Sequence, residues 1–363
     1  MKFFLKLKPP SPCVVVEHAS FDDEYSFSLW KSHFPKSPAP RVRSLSIGAV
    51  TARALKYIRH FDQLEELSVN DGGWKKIANP ISLAQLRGVS PTLKSLHLIR
   101  YSASLSEVFD FIRSFPYLET LHLDARVPFG TDFDLQATSL TSPRMTGSLV
   151  LEVPMNGEIG SIINRLLAFR GGLHFTKIEL RCPVVTDGST MKLVSRCFHT
   201  LKFLHVEYTG GNVSFLVLPM VDRSRLTPSL TDPILSLDSP EGLNLFRAKK
   251  LEVVELRWNR PEVKWISETL VTVRRNTIRR VNVCVNPNFI LYTPTQEWYE
   301  LDLVLDKLWS QLSIVIRISC SEILQTRAST LLPVYMRRML TQVFLTDDHP
   351  FHSYHDLYNL DHW

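Results

Sequence analysis

Apolar residues recur along this chain in one short spacing, apolar-x-x-apolar-x-apolar. It appears as Val42-Leu45-Ile47, Leu64-Leu67-Val69, Leu93-Leu96-Leu98 and Leu118-Leu121-Leu123. It returns as Phe175-Ile178-Leu180, Leu201-Leu204-Val206, Leu251-Val254-Leu256 and Ile278-Val281-Val283. Weaker copies fall at Leu149-Leu151-Val153 and Leu235-Leu237. Where copies follow directly, their first positions lie 22 to 29 residues apart, and each longer gap holds one weaker copy. The closing alternation is that of a short strand with one buried face. Between these strands run helical faces: Val108, Phe111, Ile112, Phe115; Ile159, Ile162, Ile163, Leu166; Met191, Val194, Phe198; and Val263, Ile266, Leu270, Val271. Ser104-x-x-Glu107 supplies a capping box before the first, and Gly171-Gly172 a stop after the second.

Each unit therefore reads strand, loop, helix, loop, with one apolar edge per element. One such unit cannot bury its own edge, whereas stacked neighbours bury theirs against each other. The predicted fold is an α/β solenoid of about ten to twelve units, with parallel strands inside the curve and helices outside. A single continuous core makes residues 40–345 one body, although length alone would argue for two domains. Residues 209–234, with Thr209-Gly210-Gly211-Asn212 and several prolines, break the spacing and read as an irregular insertion. Residues 1–39 form an N-terminal segment, and residues 346–363 a polar tail rich in His and Asp. Trp258 and Trp265 flank a turn, and Trp298 and Trp309 share a helical pattern; both spacings fit helix-to-strand packing better than a ligand cage.

The units resemble the irregular, long leucine-rich repeats of F-box proteins, particularly of the fungal type. Pro40-Arg41-Val42-Arg43-Ser44-Leu45-Ser46-Ile47 resembles the strand that opens the repeats after an F-box. Phe61-x-x-Leu64-Glu65-Glu66-Leu67 and Phe115-Pro116-x-Leu118-Glu119-Thr120-Leu121-His122-Leu123 resemble that class's F-P-x-L-x-x-L-x-L units. The resemblance implies substrate recognition in an F-box-type ubiquitin ligase. It implies a Skp-type adaptor and a cullin as partners only if an F-box element exists. Residues 1–39 show no Leu-Pro-x-Glu-like start, so the F-box is not visible and the segment reads as a remnant of a lost or truncated one. The Asn that often follows the strand in this class is matched at Asn259 and Asn286 only. Two alternatives stand beside the ligase reading: a free-standing scaffold unrelated to ubiquitin, and a degenerate family copy.

If the apolar strand positions face the core, the residues between them line the concave surface. That face would carry Glu66 and Ser68, then His97, His122 and Asp124. Arg181, Phe203, His205, Glu255, Arg257 and Arg280 follow in later units. It runs from Ser-, Asp- and Glu-rich to Arg-containing, and it is the expected docking face for a protein partner. Phe203 is the one large apolar side chain among these residues, an anchor unless the strand register slips and buries it. His97 and His122 fall in neighbouring units and should lie close together.

Composition removes other classes. With 44% hydrophobic and 21% charged residues the chain is globular, and no apolar run approaches a membrane span. The excess of 42 Lys+Arg over 36 Asp+Glu is mild for 363 residues, which argues against nucleic acid as the partner. Five scattered cysteines without a C-x-x-C oppose a disulfide framework or zinc site and fit a cytoplasmic or nuclear protein. No nucleophile elbow, phosphate loop, dinucleotide fingerprint or zinc-protease motif is present, so neither enzyme nor cofactor is expected. Asp22-Asp23-Glu24 reads as a solvated turn, and His352-x-x-His355 as part of a loose terminus rather than a metal site. The chain is expected to be monomeric outside a complex.

Overall fold

The computed structural model describes residues 18–21, 42–48, 58, 61, 63–70, 92–99, 105–124, 143–153, 159–169, 171–182, 188–208, 242–258, 263–274, 277–285, 295–309 and 315–319. Eleven strands form one sheet in sequence order. They are β1 (His18–Phe21), β2 (Ser44–Ile47), β3 (Glu66–Asn70), β4 (Ser95–Ile99), β5 (Thr120–Asp124) and β6 (Ser148–Glu152). Then come β7 (Lys177–Cys182), β8 (Phe203–Tyr208), β9 (Val253–Trp258), β10 (Arg280–Val285) and β11 (Val315–Ser319). Every pairing is parallel, and consecutive strands are neighbours throughout. The described helices are α1 (Leu105–Arg113), α2 (Ile159–Leu167), α3 (Ser189–Arg196), α4 (Lys264–Val271) and α5 (Thr295–Trp309). None of them is long and apolar enough to cross a membrane.

The spacing that marks each unit is realised by one repeated backbone device. A carbonyl just before each strand accepts two amides from the next unit: Arg43 from Glu65 and Glu66, Glu65 from Lys94 and Ser95, Lys94 from Glu119 and Thr120. Further along, Thr176 accepts from Lys202 and Phe203, Lys202 from Glu252 and Val253, and Glu252 from Arg279 and Arg280. The Phe-x-x-Leu turns close inward, with Leu64 N–H donating to Phe61 O at 3.2 Å and Leu118 N–H to Phe115 O at 3.2 Å. Gly147 is required by this close stacking: a β-carbon there would lie 2.6 Å from Thr120 Oγ1 and 3.0 Å from the Glu119 carbonyl. Gly172 supplies the expected stop after α2 at φ 76°, a conformation that favours glycine.

The strand leucines and helix faces merge into one core. Leu67, Leu96, Leu121, Leu149, Ile178, Leu204 and Val254 are all fully buried and stack in register, each contributing ~1.5–3 kcal/mol of transfer free energy. Leu149, Leu151 and Val153, the weaker copy, bury as completely as the strong ones. The helical faces of α1 to α3 face the core as expected. Val271 does not: it is 67% exposed. It shares its arc of α4 with exposed Lys264 and Glu268, while the buried arc is wider than the expected stripe and takes in Trp265 and Thr269. Trp265 packs edge-on against Tyr208 with ring centroids 4.8 Å apart.

Strands β1 and β11 are not among the copies named from the sequence, although Val16-x-x-Ala19-x-Phe21 keeps the repeat spacing and Ala19 and Phe21 pair with Leu45 and Ile47. Strand β1 lies within the segment 1–39, and its four-residue stretch carries no leucine. The Asp22–Glu24 cluster, Asn259, Asn286, the insertion 209–234, the Leu235-Leu237 copy and the tail 346–363 lie outside the described residues.

Candidate functional site

Side chains that alternate with the core leucines form rows on the opposite sheet face, because parallel register aligns each with its equivalent one strand on. The middle row runs Ser20, Ser46, Ser68, His97, His122 across β1 to β5, then Val150, Glu179, His205, Glu255 and Asn282 across β6 to β10. The next row runs Asn70, Ile99, Asp124, Glu152, Arg181, Glu207 and Arg257. The face changes character between β5 and β6.

Strands β2 to β5 carry hydroxyls and imidazoles. His97 and His122 are neighbours, with ring centroids 5.5 Å apart and planes tilted by 58°. Ser95 Oγ lies 3.0 Å from His97 Nε2, and Glu66 is 3.7 Å from that nitrogen. Burial holds the His97 imidazole below its ordinary pKa, against a partial upward pull from Glu66. It therefore serves as a neutral hydrogen-bonding group near pH 7. His122 Nε2 faces Glu152 at 3.8 Å.

Strands β6 to β9 present alternating charge: Glu152, Arg181, Glu207, Arg257. Arg181 pairs with Glu152 and reaches Glu179 at 3.9 Å and Glu207 at 3.7 Å. Arg257 meets Glu207 from the other side at 3.6 Å, and Lys177 pairs with Glu179 at 2.7 Å. His205 sits in the middle, its Nδ1 3.1 Å from Glu255 Oε2 and its Nε2 3.8 Å from Glu207 Oε2. Burial alone would lower the imidazole's pKa, but the two carboxylates together outweigh it and hold it above its ordinary value. Burial likewise raises both carboxyls, while His205 foremost, with Arg257 at Glu207 and Asn282 at Glu255, draws them below the usual range. The four carboxylates Glu152, Glu179, Glu207 and Glu255 face the cations Lys177, Arg181 and Arg257, so a protonated His205 brings the cluster to neutrality.

The expected docking residues thus divide into two regions. Glu66, Ser68, His97 and His122 lie on β3 to β5, while Arg181, Phe203, His205, Glu255, Arg257 and Arg280 lie on β7 to β10. At ~4.8 Å per strand, Glu66 and Arg280 are ~34 Å apart. Two of these residues are buried rather than solvent-facing: Asp124 and His205 are each 3% exposed. Asp124 stands in register between Ile99 and Glu152, and His205 between Glu179 and Glu255, surroundings that alternation along a single strand does not reveal. Phe203 keeps the expected register, beside Lys177 and Val253, and is half-buried with Lys177 Nζ 5.0 Å from its ring centre. Arg280 is exposed at the start of β10. Glu152 was missed by the sequence reading, although Leu149, Leu151 and Val153 on alternate positions would have placed it on this face.

His205 is hemmed in by carboxylates, and among the described residues no group of three or more candidate ligands is placed to hold a metal ion. Burial pushes the Cys197 thiol up to about 11 and that of Cys182 higher still, so neither is a thiolate at neutral pH. A recess of about 280 Å³ at the start of β1 to β4 is lined by His18, Arg43, Glu65, Glu66 and Lys94 with two serines, charges of both signs. No protein-family model and no curated protein matches the sequence.

Proposed function

We propose that the chain is a protein-docking scaffold of the leucine-rich-repeat type, a curved array whose polar sheet face receives a protein partner. Within that reading it serves as the substrate-recognition part of an F-box-type ubiquitin ligase receptor. The observation that carries the docking role is the pair of rows, polar except at Ile99 and Val150, in which most side chains from β2 to β10 remain partly solvent-accessible. A rigid parallel sheet holds these groups at fixed spacing, so a partner meets a preformed pattern and orders little on binding. The ligase role rests on the resemblance of the Phe-x-x-Leu units. One observation favours a second reading, a free-standing scaffold unrelated to ubiquitin: β1, within the segment where an adaptor-binding element would precede the repeats, is itself a strand of the sheet.

Co-purification of the tagged full-length chain from its own cells tests both. The wild type is expected to recover a protein in stoichiometric amount, and Ser68→Arg on β3 or Arg257→Glu on β9 to lose it while circular dichroism stays unchanged. A Skp-type adaptor and cullin in the eluate support the ligase role; a partner without them supports the free-standing scaffold. Recovery untouched by both variants refutes docking on this face.

A further inference from the structure

The turns that lead into successive strands lie side by side along one edge of the sheet, and three neighbouring ones are basic. The last turn of α3 and the approach to β8 present exposed Arg196 and Lys202. The approach to β9 presents exposed Arg247, Lys249 and Lys250. That to β10 presents Arg279, whose side chain is 79% exposed, and exposed Arg280. The shared backbone rungs fix their adjacency: Lys202 O accepts the Glu252 and Val253 amides, and Glu252 O those of Arg279 and Arg280. Glu252 is the one carboxylate described on these three approaches, and it lies 3.7 Å from Arg279. The approaches to β4 and β5 are mixed in sign, with Lys94 on one and Glu119 on the other. Among the described residues, these three approaches gather seven exposed cations against one carboxylate.

Apolar side chains sit against this basic edge. In the first row of the sheet Phe203 and Val253 are neighbours, both half-buried, with Lys177 on one side and Arg280 on the other. In the equivalent row β2 to β6 carry Ser44, Glu66, Ser95, Thr120 and Ser148. Above the edge, Phe246 is 58% exposed and held by Arg274, whose Nε donates to the Phe246 carbonyl at 2.6 Å and whose guanidinium stacks 4.4 Å from the ring centre.

We infer that the edge formed by the starts of β8, β9 and β10 is a docking site for a short acidic segment of a protein partner carrying an aliphatic or aromatic side chain. The carboxylates of such a segment meet the exposed Lys and Arg groups, and its apolar side chain rests on Phe203 and Val253. The dimensions favour peptide over nucleic acid. Three strand starts span ~10 Å, the reach of about three extended residues, whereas single-stranded nucleic acid needs a longer cationic track and free aromatic faces on which bases stack. Here the exposed ring, Phe246, has one face occupied by Arg274. Because the cations are exposed, the interaction weakens steeply as salt shortens the screening length.

This inference rests on the reading of the chain as a docking scaffold and adds the chemistry of the partner. Its test is fluorescence anisotropy with the full-length chain and a short fluorescein-labelled Glu-rich peptide carrying one central Leu. Controls are the same peptide with Gln for Glu, the same with Ser for Leu, and an oligothymidylate of equal charge. The expected result is saturable binding that falls about tenfold or more with Gln for Glu and in Lys249→Glu/Lys250→Glu/Arg279→Glu, and by a smaller factor with Ser for Leu. Absence of binding, binding unchanged by that triple variant, or tighter binding of the oligothymidylate each overturns it. The triple variant also separates this inference from the one beneath it. A cellular partner lost in Ser68→Arg or Arg257→Glu but retained in the triple variant leaves the scaffold standing and the acidic segment refuted; one retained in all three refutes the two together.

Discussion

Replacing His205 with glutamine removes the one titratable cation that lies between Glu207 and Glu255 while keeping a side chain able to donate to Glu255. In the folded protein Nδ1 is 3.1 Å from Glu255 and Nε2 is 3.8 Å from Glu207, and the side chain is 4% exposed. Unit charges ~4 Å apart attract by ~4 kcal/mol at an effective dielectric of ~20, and desolvating the ring offsets several kcal/mol of that. Removing one member of such a buried pair leaves charge uncompensated and costs about 3–5 kcal/mol. Because the folded pKa of His205 is raised above 6.5, its contribution is fully present below 6.5 and lost as pH rises through the folded value. The carboxyls of Glu207 and Glu255 are lowered from 4.5, so their contribution is present above 4.5 and lost as pH falls through their folded values. The window of greatest stabilisation is therefore pH 4.5 to 6.5. Urea unfolding of wild type and His205→Gln at several pH values between these limits and pH 9 measures the gap directly. It should be widest near pH 6 and close above 6.5 with a limiting slope of ~1.4 kcal/mol per pH unit. A gap that is constant across the range, or that widens with pH, refutes the placement of a protonated imidazole between the two carboxylates.

Two further substitutions probe how the units are joined. Glu297 of α5 caps the start of α4, its Oε2 accepting from the Val263 amide at 2.8 Å and the Lys264 amide at 3.0 Å. Glu297→Ala should lower the unfolding free energy by ~1–2 kcal/mol, and an unchanged urea midpoint would show the cap to be idle. Gly147→Ala places a β-carbon against the Thr120 hydroxyl and the Glu119 carbonyl, and the carbonyl, which accepts the Gly147 amide, cannot yield without disturbing the rung between β5 and β6. A loss of ~1–3 kcal/mol is expected by the same denaturation assay, and full retention of stability would show that the two units are less tightly stacked than described.

What could be read from the sequence was whatever repeats locally. The apolar-x-x-apolar-x-apolar spacing encodes a strand with one buried face, so Leu67, Leu96, Leu121 and their equivalents were assigned to the core, and Ser68, His97 and His122 to the other face, from spacing alone. Equal spacing of the units also implies that neighbours stack in order, which puts His97 and His122 on adjacent strands, where their rings lie 5.5 Å apart. Strand β1 escaped although Val16-x-x-Ala19-x-Phe21 keeps the spacing, because a small alanine stands where the other copies carry a leucine or a branched residue. The rest was settled by groups far apart in the chain. His205 meets Glu255 fifty residues away, Glu297 caps a helix more than thirty residues earlier, and the basic turns become one edge only because three strands lie abreast. Alternation along one strand tells which way a side chain points. Whether it then reaches water, as Arg280 does, or is enclosed, as Asp124 and His205 are, depends on the length and charge of the side chains on the strands to either side, and only the assembled sheet brings those together.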